Sequence, residues 1–165
     1  QKLMMVNIIK AGWNKTMKIN NEILYSDAIC CVLANVRTKE IVYDVLNSFI
    51  PNYEKIDGEY YFSINGPKDG FKNEDEILDY LISNKYENGT LFWNKNEKNP
   101  YKIMVGAFFT TDAKLIISLT VKADGTIEDK FLEKLKNLLN SKIGTISYVN
   151  PPEFEDGNDF MNKYQ

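Results

Sequence analysis

The segment YKIMVGAFFTTDAKLIISLTVKADG, residues 101 to 125, constrains the fold more than any other stretch of the chain. Two runs rich in β-branched and aromatic residues flank Thr111, Asp112 and Ala113, a pattern that predicts an antiparallel hairpin. Because both runs are apolar almost throughout, we expect the hairpin at the centre of a sheet whose two faces are covered or nearly so. Gly106, inside the first run, indicates either a bulge or a close approach of another backbone.

Five further runs have the pattern of β-strands and lie between turn dipeptides such as Asp57-Gly58 and Asn88-Gly89. They are LMMVNII (3–9), AICCVLANV (28–36), EYYFSIN (59–65), GTLFW (89–93) and TISYV (145–149). The second of these runs is also compatible with a helix.

Three helices are predicted where apolar residues recur at helical spacing behind a capping residue. The first covers about residues 39–49 and ends before Pro51. The predicted capping residues of the three helices are Thr38, Asn73 and Thr126. For the second and third helices, Glu76 and Asp129 are the acidic residues that would complete a capping box.

Strands and helices therefore mix without strict alternation, in the order β, β, α, β, α, β, β, β, α, β. This order predicts a single α+β domain over residues 1–165, in which about three helices pack on a mainly antiparallel sheet. The acidic C-terminal tail, residues 151–165, follows two prolines. Two interpretations of it stay open: a frayed end, or a segment that Phe154, Phe160 and Tyr164 tie to the body of the domain.

The chain contains no histidine, which removes the Ser-His-Asp and Cys-His arrangements and the usual general base near neutral pH. The adjacent Cys30 and Cys31 cannot form a tetrahedral zinc site on their own. The sequence contains neither of the two glycine-rich motifs that bind phosphate groups, Gly-x-x-x-x-Gly-Lys-Ser/Thr and Gly-x-Gly-x-x-Gly after a strand. We therefore predict no catalytic residue, no metal and no cofactor, and interpret the chain as a non-enzyme. A hydrolase that uses paired carboxylates remains the enzymatic alternative.

The charge balance bears on partners and location. Twenty Lys and Arg residues against 23 Asp and Glu give a net charge of −3, which argues against direct nucleic-acid binding. No apolar run approaches the roughly 20 residues that span a bilayer, so we expect no membrane segment. Cys30 and Cys31 are expected to be buried free thiols, which suits a reducing, cytoplasmic location. A domain outside the cytoplasm, with a leader removed before residue 1, is the alternative.

Three segments combine acidic and aromatic residues, as the surface of a protein that binds a basic partner would. They are VNPPEFEDGNDF at residues 149–160, the segment of residues 69–79 around Phe71, and the segment of residues 54–60 that leads into Tyr60. The candidate residues are taken from the first two. The candidate partner-binding residues are Glu153, Phe154, Glu155, Asp156, Asp159, Phe160, Asp69, Phe71, Glu74 and Asp75.

In its acidic α+β character the chain resembles the immunity proteins of bacterial polymorphic-toxin and contact-dependent growth inhibition systems. The stretches that carry the resemblance are AGWNKTMKINN (11–21), FIPNYEKIDGEYYF (49–62) and IGTISYVNPPEF (143–154). The resemblance implies a cytoplasmic bacterial protein that binds and neutralises a cognate toxin domain, commonly a nuclease with a basic phosphate-binding surface. A non-catalytic scaffold or accessory binding module is the alternative.

Overall fold

The computed structural model describes residues 17–19, 22–24, 27–54, 57–60, 70–93, 102–148 and 150–165. Nine strands and four helices lie in these ranges. The strands are β1 (Met17–Ile19), β2 (Glu22–Leu24), β3 (Asp27–Leu33), β4 (Asp57–Tyr60), β5 (Phe71–Asn73), β6 (Gly89–Trp93), β7 (Met104–Phe109), β8 (Leu115–Lys122) and β9 (Gly144–Ser147). The helices are α1 (Lys39–Phe49), α2 (Glu74–Ser83), α3 (Ile127–Leu138) and α4 (Gly157–Tyr164).

A five-stranded antiparallel sheet in the order β6–β7–β8–β3–β9 forms the centre of the domain. The two remaining pairs, β1–β2 and β4–β5, are separate two-stranded sheets. The predicted α+β class, with a mainly antiparallel sheet in one domain, is confirmed. The predicted hairpin is β7–β8, and β8 is the middle strand, flanked on both sides.

Each strand prediction that falls on described residues overlaps an observed strand, and no prediction covers β1, β2 or β5. The run predicted at 28–36 overlaps β3, which ends at Leu33, and the runs at 89–93 and 145–149 correspond to β6 and β9. The run predicted at 59–65 overlaps β4, but residues 61–65 lie outside the described residues, as does the strand predicted at 3–9.

Gly106 sits at a close approach and not at a bulge. The register runs without interruption from β6 through β7 to β8 and pairs Gly106 with Phe92 on one side and Ser118 on the other. A Cβ atom built on Gly106 would lie 2.4 Å from Ser118 Oγ and 2.9 Å from an atom of the Phe92 ring. Any larger residue would therefore push these neighbours away.

The first two helices begin where the sequence predicts. The Thr38 hydroxyl accepts a hydrogen bond from Ile41 N at 3.4 Å, and α1 ends before Pro51. The Asn73 side chain accepts one from Glu76 N at 3.0 Å. The Glu76 carboxylate in turn accepts the N–H of Lys72 at 2.9 Å, so the capping box is reciprocal but displaced by one residue.

The start of α3 differs from the prediction. The Thr126 side chain forms no capping bond to the helix. Instead the Asp124 carboxylate accepts the N–H groups of Thr126 at 2.8 Å and Ile127 at 2.7 Å. The loop N–H of Gly125 donates to Glu128 and not to the predicted Asp129. The Thr126 hydroxyl also donates to Asp124, at 2.9 Å, so it does not cap the helix. The charge of the Asp124 carboxylate strengthens hydrogen bonds at the positive end of a helix.

Residues alternate between the two faces of the sheet. Along β3, Ala28, Cys30 and Val32 belong to a core that α1, α2 and α3 cover. On the opposite face Ile29, Cys31 and Leu33 pack with Phe160 of α4. The two cysteines are thus buried free thiols on opposite faces, as expected, and burial raises the pKa of Cys30 to about 12.

A fourth helix is the main departure from the predicted architecture. The tail after Pro152 folds into α4, and Phe160 is fully buried against the sheet. Of the two interpretations of the tail, attachment to the body is therefore the one that the structure supports.

Candidate partner-binding surface

Two of the four predicted C-terminal carboxylates build the start of α4. The side chain of Asp156 caps the helix and accepts the N–H of Asp159 at 2.9 Å. Asp159 accepts the N–H of Glu155 at 3.0 Å and pairs with Lys163 at 2.8 Å. The hydrogen bond from Lys163, followed by the one from Glu155, lowers the pKa of Asp159. Both carboxylates thus have local structural roles, and only Glu153 and Glu155 project as exposed acidic side chains.

The turn of the central hairpin also holds α4. Asp112 accepts the N–H groups of Gly157 at 3.1 Å and Asn158 at 2.8 Å, the first two residues of the helix. Gly157 lies so close to this turn that a Cβ atom on it would be 2.5 Å from Lys114 Cβ. Asp112, predicted only as a turn residue, therefore joins the hairpin to the C-terminal helix.

Acid is expected to weaken this connection. Burial by itself would raise the pKa of Asp112, but hydrogen bonds from the Thr110 hydroxyl and from Gly157 and Asn158 outweigh it and lower the pKa. The unfolded chain has a pKa of about 3.9 at this residue. Because the folded value is lower, the stabilisation is complete above the unfolded pKa and is lost as the pH falls through the folded pKa.

Unfolding by denaturant at neutral pH and near pH 3 measures this effect in the wild type and in Asp112→Asn. We expect a smaller acid-induced loss in the variant. The difference should stay below about 1 kcal/mol, because the side chain is only half-buried and solvent screens its interactions. An identical pH dependence in both proteins would show that Asp112 does not couple protonation to folding.

Phe154 and Phe160 belong to a row of aromatic rings, here called the aromatic row, on the sheet face opposite α1–α3. Successive rings meet at centroid distances of 4.8–5.8 Å, three of the four contacts being edge-to-face. The members are Phe92, Phe108, Phe154, Phe160 and Tyr164. Phe160 is buried and offers nothing to a partner, whereas Phe154 is half-buried and Phe92 is 40% exposed.

The second predicted cluster is divided between interior and surface. Phe71 is buried and stacks at a tilt on Tyr80. Glu74 is 2% exposed and accepts a hydrogen bond from Trp93 Nε1 at 2.9 Å. Phe71 of β5 and Glu74, the first residue of α2, both point into the core, so they cannot form a binding surface. Asp75 is exposed, and Asp69 lies outside the described residues.

Asp75 is part of a larger acidic area on α1 and α2 that the sequence pattern did not predict. Two contacts show that helices α1 and α2 lie side by side and antiparallel. Lys39, at the start of α1, pairs with Asp79 in the second half of α2 at 2.8 Å, and Tyr43, one turn later, donates to Asp75 at the start of α2 at 2.7 Å. Lys39 also pairs with Asp75 at 3.0 Å. The exposed carboxylates of these two helices, here called the acidic helix surface, are Glu40, Asp44, Asp75, Glu76 and Asp79.

Within the acidic helix surface, Lys39 offsets only part of the charge. Tyr43 lies between the two helices, and burial, followed by its hydrogen bond to Asp75, raises the pKa of its phenol. It therefore stays a neutral donor that fixes the Asp75 carboxylate. The two acidic segments that supplied the candidate residues end up on opposite sides of the sheet, since α2 and α4 cover opposite faces.

Other site types were sought in the described part of the chain. It holds no group of three or more Cys, Asp or Glu side chains arranged to bind a metal ion. None of its helices combines the length and apolarity needed to cross a bilayer. Comparisons of the chain with protein-family models, with curated proteins and with solved structures find no match.

Proposed function

We propose that this chain is a non-catalytic binding protein of the immunity type, which neutralises a cognate bacterial toxin domain in the cytoplasm. The observation that carries the proposal is the acidic helix surface, where five exposed carboxylates stand on two packed helices. Its proposed partner is a basic domain, most simply a nuclease whose phosphate-binding residues attract the same carboxylates.

The geometry suits such a partner in two respects. The carboxylates lie on helices and not on loops, and Lys39 and Tyr43 cross-link the helices, so the charges keep their positions before binding. Fixed charge of one sign accelerates the encounter with an oppositely charged surface and makes the association rate depend on salt.

A pair of matched double variants tests which acidic area binds. Glu40→Gln with Asp44→Asn removes two exposed carboxylates from α1, and Glu153→Gln with Glu155→Gln removes two from the C-terminal segment predicted from the sequence. The probe is the toxin domain encoded beside this chain's gene, produced in a catalytically inactive form. We expect the α1 variant to associate about three to ten times more slowly and with a weaker salt dependence, as for the loss of two exposed ion pairs.

The outcomes separate three readings. A slower association of the C-terminal variant alone would move the binding surface to Glu153 and Glu155, on the opposite side of the sheet. Equal rates for both variants and the wild type would exclude an electrostatic role for either area. Failure of the wild-type chain to bind the products of both neighbouring genes would overturn the proposed function.

A further inference from the structure

Tyr86 is the most exposed of the large hydrophobic side chains in the described residues. It is 77% exposed, against 47% for Val36 and 40% for Phe92. It stands in the turn between α2 and β6, where Glu87 N donates to Asn84 O at 3.0 Å and so places Lys85 and Tyr86 at the centre of a β-turn. An aromatic ring with this exposure contributes little to the core.

The turn that presents Tyr86 is held at its first residue by α2. The backbone N–H and the side-chain amide of Asn84 both donate to the Tyr80 carbonyl at 2.9 Å. This satisfies a helix C-terminal carbonyl twice and fixes the direction in which the chain leaves α2.

Arg37, the chain's single arginine, holds the turn from the other side. Its Nη2 donates to the carbonyls of Leu81 at 2.7 Å, Glu87 at 3.1 Å and Asn84 at 3.4 Å. Its Nη1 donates to Thr110 O and Lys114 O in the β7–β8 hairpin. The guanidinium therefore ties the ends of the turn to the central sheet, while the tip with Tyr86 stays free of these bonds.

The turn also has a defined place relative to the acidic helix surface. Because α1 and α2 are antiparallel, the residues that follow α2 lie near the start of α1, where Lys39 pairs with Asp79. Tyr86 thus stands at the end of the acidic helix surface that contains Glu40 and Asp79.

We propose that Tyr86 is the aromatic anchor of the partner interface and that Arg37 is its positioning residue. This inference rests on the proposed function. The partner it fits is a basic domain with an apolar pocket at the edge of its basic surface, which accepts the phenol ring. Tyr is frequent among the residues that dominate interface energies, and a turn whose backbone ends are already fixed loses less entropy on binding than a mobile loop.

Truncation of the ring tests the anchor. Tyr86→Ala is expected to weaken binding of the same inactive toxin domain by about tenfold or more, through faster dissociation. Phe92→Ala is the matched control, an exposed ring on the opposite face of the sheet, and it should bind within about twofold of the wild type. If wild type binds and Tyr86→Ala binds equally well, the inference fails and the proposed function stands.

The role of the fixed turn is tested at Lys85, whose side chain forms no hydrogen bond with Arg37 or Tyr86. Lys85→Gly and Lys85→Ala both remove the charge, but only glycine loosens the backbone. We expect Lys85→Gly to bind about two to five times more weakly than Lys85→Ala. This difference should vanish when Tyr86 is also alanine, because a loosened turn then has no anchor to misplace. A difference that persists without the ring would contradict a positioning role.

Discussion

Replacement of Arg37 by lysine is expected to lower the free energy of unfolding by about 3 kcal/mol, because lysine keeps the charge but loses the planar fork. The guanidinium of Arg37 donates to five backbone carbonyls that belong to two separate segments, the α2–β6 turn and the β7–β8 hairpin. It also lies 5.1 Å from the centre of the Phe109 ring. An ammonium is a compact group and cannot reach both segments at once.

The cost is high because the lost bonds involve a charged donor that is partly withdrawn from water. Burial lowers the pKa of Arg37, and the nearby Asp112 acts in the opposite direction. Hydrogen bonds to a charged group contribute about 1.5–3 kcal/mol each when measured singly, and their effects do not add. Carbonyls left without a donor inside the protein add their own desolvation cost.

Chemical denaturation of Arg37→Lys measures the effect. Lys39→Ala, two residues away, is the control, since it removes two ion pairs at the surface and should cost less than about 1 kcal/mol. A variant Arg37→Lys that unfolds within 1 kcal/mol of the wild type, or no earlier than Lys39→Ala, would show that the five bonds contribute little.

Truncation of Phe160 to alanine is the second large effect that we expect, a loss of about 3 kcal/mol. The ring is fully buried and packs with Ile29, Cys31 and Ile116 on the sheet face opposite α1–α3. It is also in edge-to-face contact with Phe154 at 5.4 Å. Because α4 is only eight residues long, it cannot persist as a helix once it is detached from the sheet.

Two measurements report this detachment separately from global unfolding. Limited proteolysis should remove the C-terminal segment of Phe160→Ala while the sheet stays intact. Cys31, which α4 helps to cover, should become reactive toward a thiol reagent, whereas Cys30 on the other face should not. Asn162→Ala, at an exposed position of the same helix, is the control. Equal protease resistance of Phe160→Ala and Asn162→Ala would contradict the docking role of the ring.

The sequence predicted the elements whose signals are local. The central hairpin needs only two β-rich runs around a turn, and the caps Thr38 and Asn73 act on N–H groups three residues away. Thr126 fits the capping pattern at the start of α3, but its hydroxyl donates to Asp124, which also accepts the N–H groups of Thr126 and Ile127. Whether a hydroxyl caps a helix or bonds a neighbouring carboxylate depends on loop geometry that no spacing rule contains.

Helix α4 and the candidate surface were harder to predict because both depend on contacts between distant parts of the chain. The α4 segment carries only a few apolar residues, and its helix depends on Asp112 and on the pocket that Phe160 fills. Phe71 and Glu74 were grouped with exposed Asp75 because the three are close in sequence. Phe71 is buried by the packing of β5 and Glu74 by the side of α2 that faces the core, and neither follows from closeness in sequence.

The acidic helix surface could not be predicted from the sequence for the same reason: it depends on how two helices pack together. Glu40 and Asp44 lie one turn apart on α1, as a helical pattern requires. Asp75 and Asp79 belong to a different helix, and only the packing of α1 beside α2, with Lys39 and Tyr43 bonded to α2, places the two sets of carboxylates on neighbouring helices. A stronger charge pattern within one helix would have been needed to find this surface from the sequence.

The most direct test of the proposed function is growth of bacteria that produce, in active form, a candidate toxin domain taken from a gene adjacent to this chain's own. Cultures would carry the wild-type chain, the Glu40→Gln, Asp44→Asn variant, or the Glu153→Gln, Glu155→Gln variant, at equal expression confirmed by immunoblot. We predict full protection by the wild type and by the C-terminal variant, and reduced protection by the α1 variant at high toxin levels. Growth arrest in the presence of the wild-type chain would contradict the account.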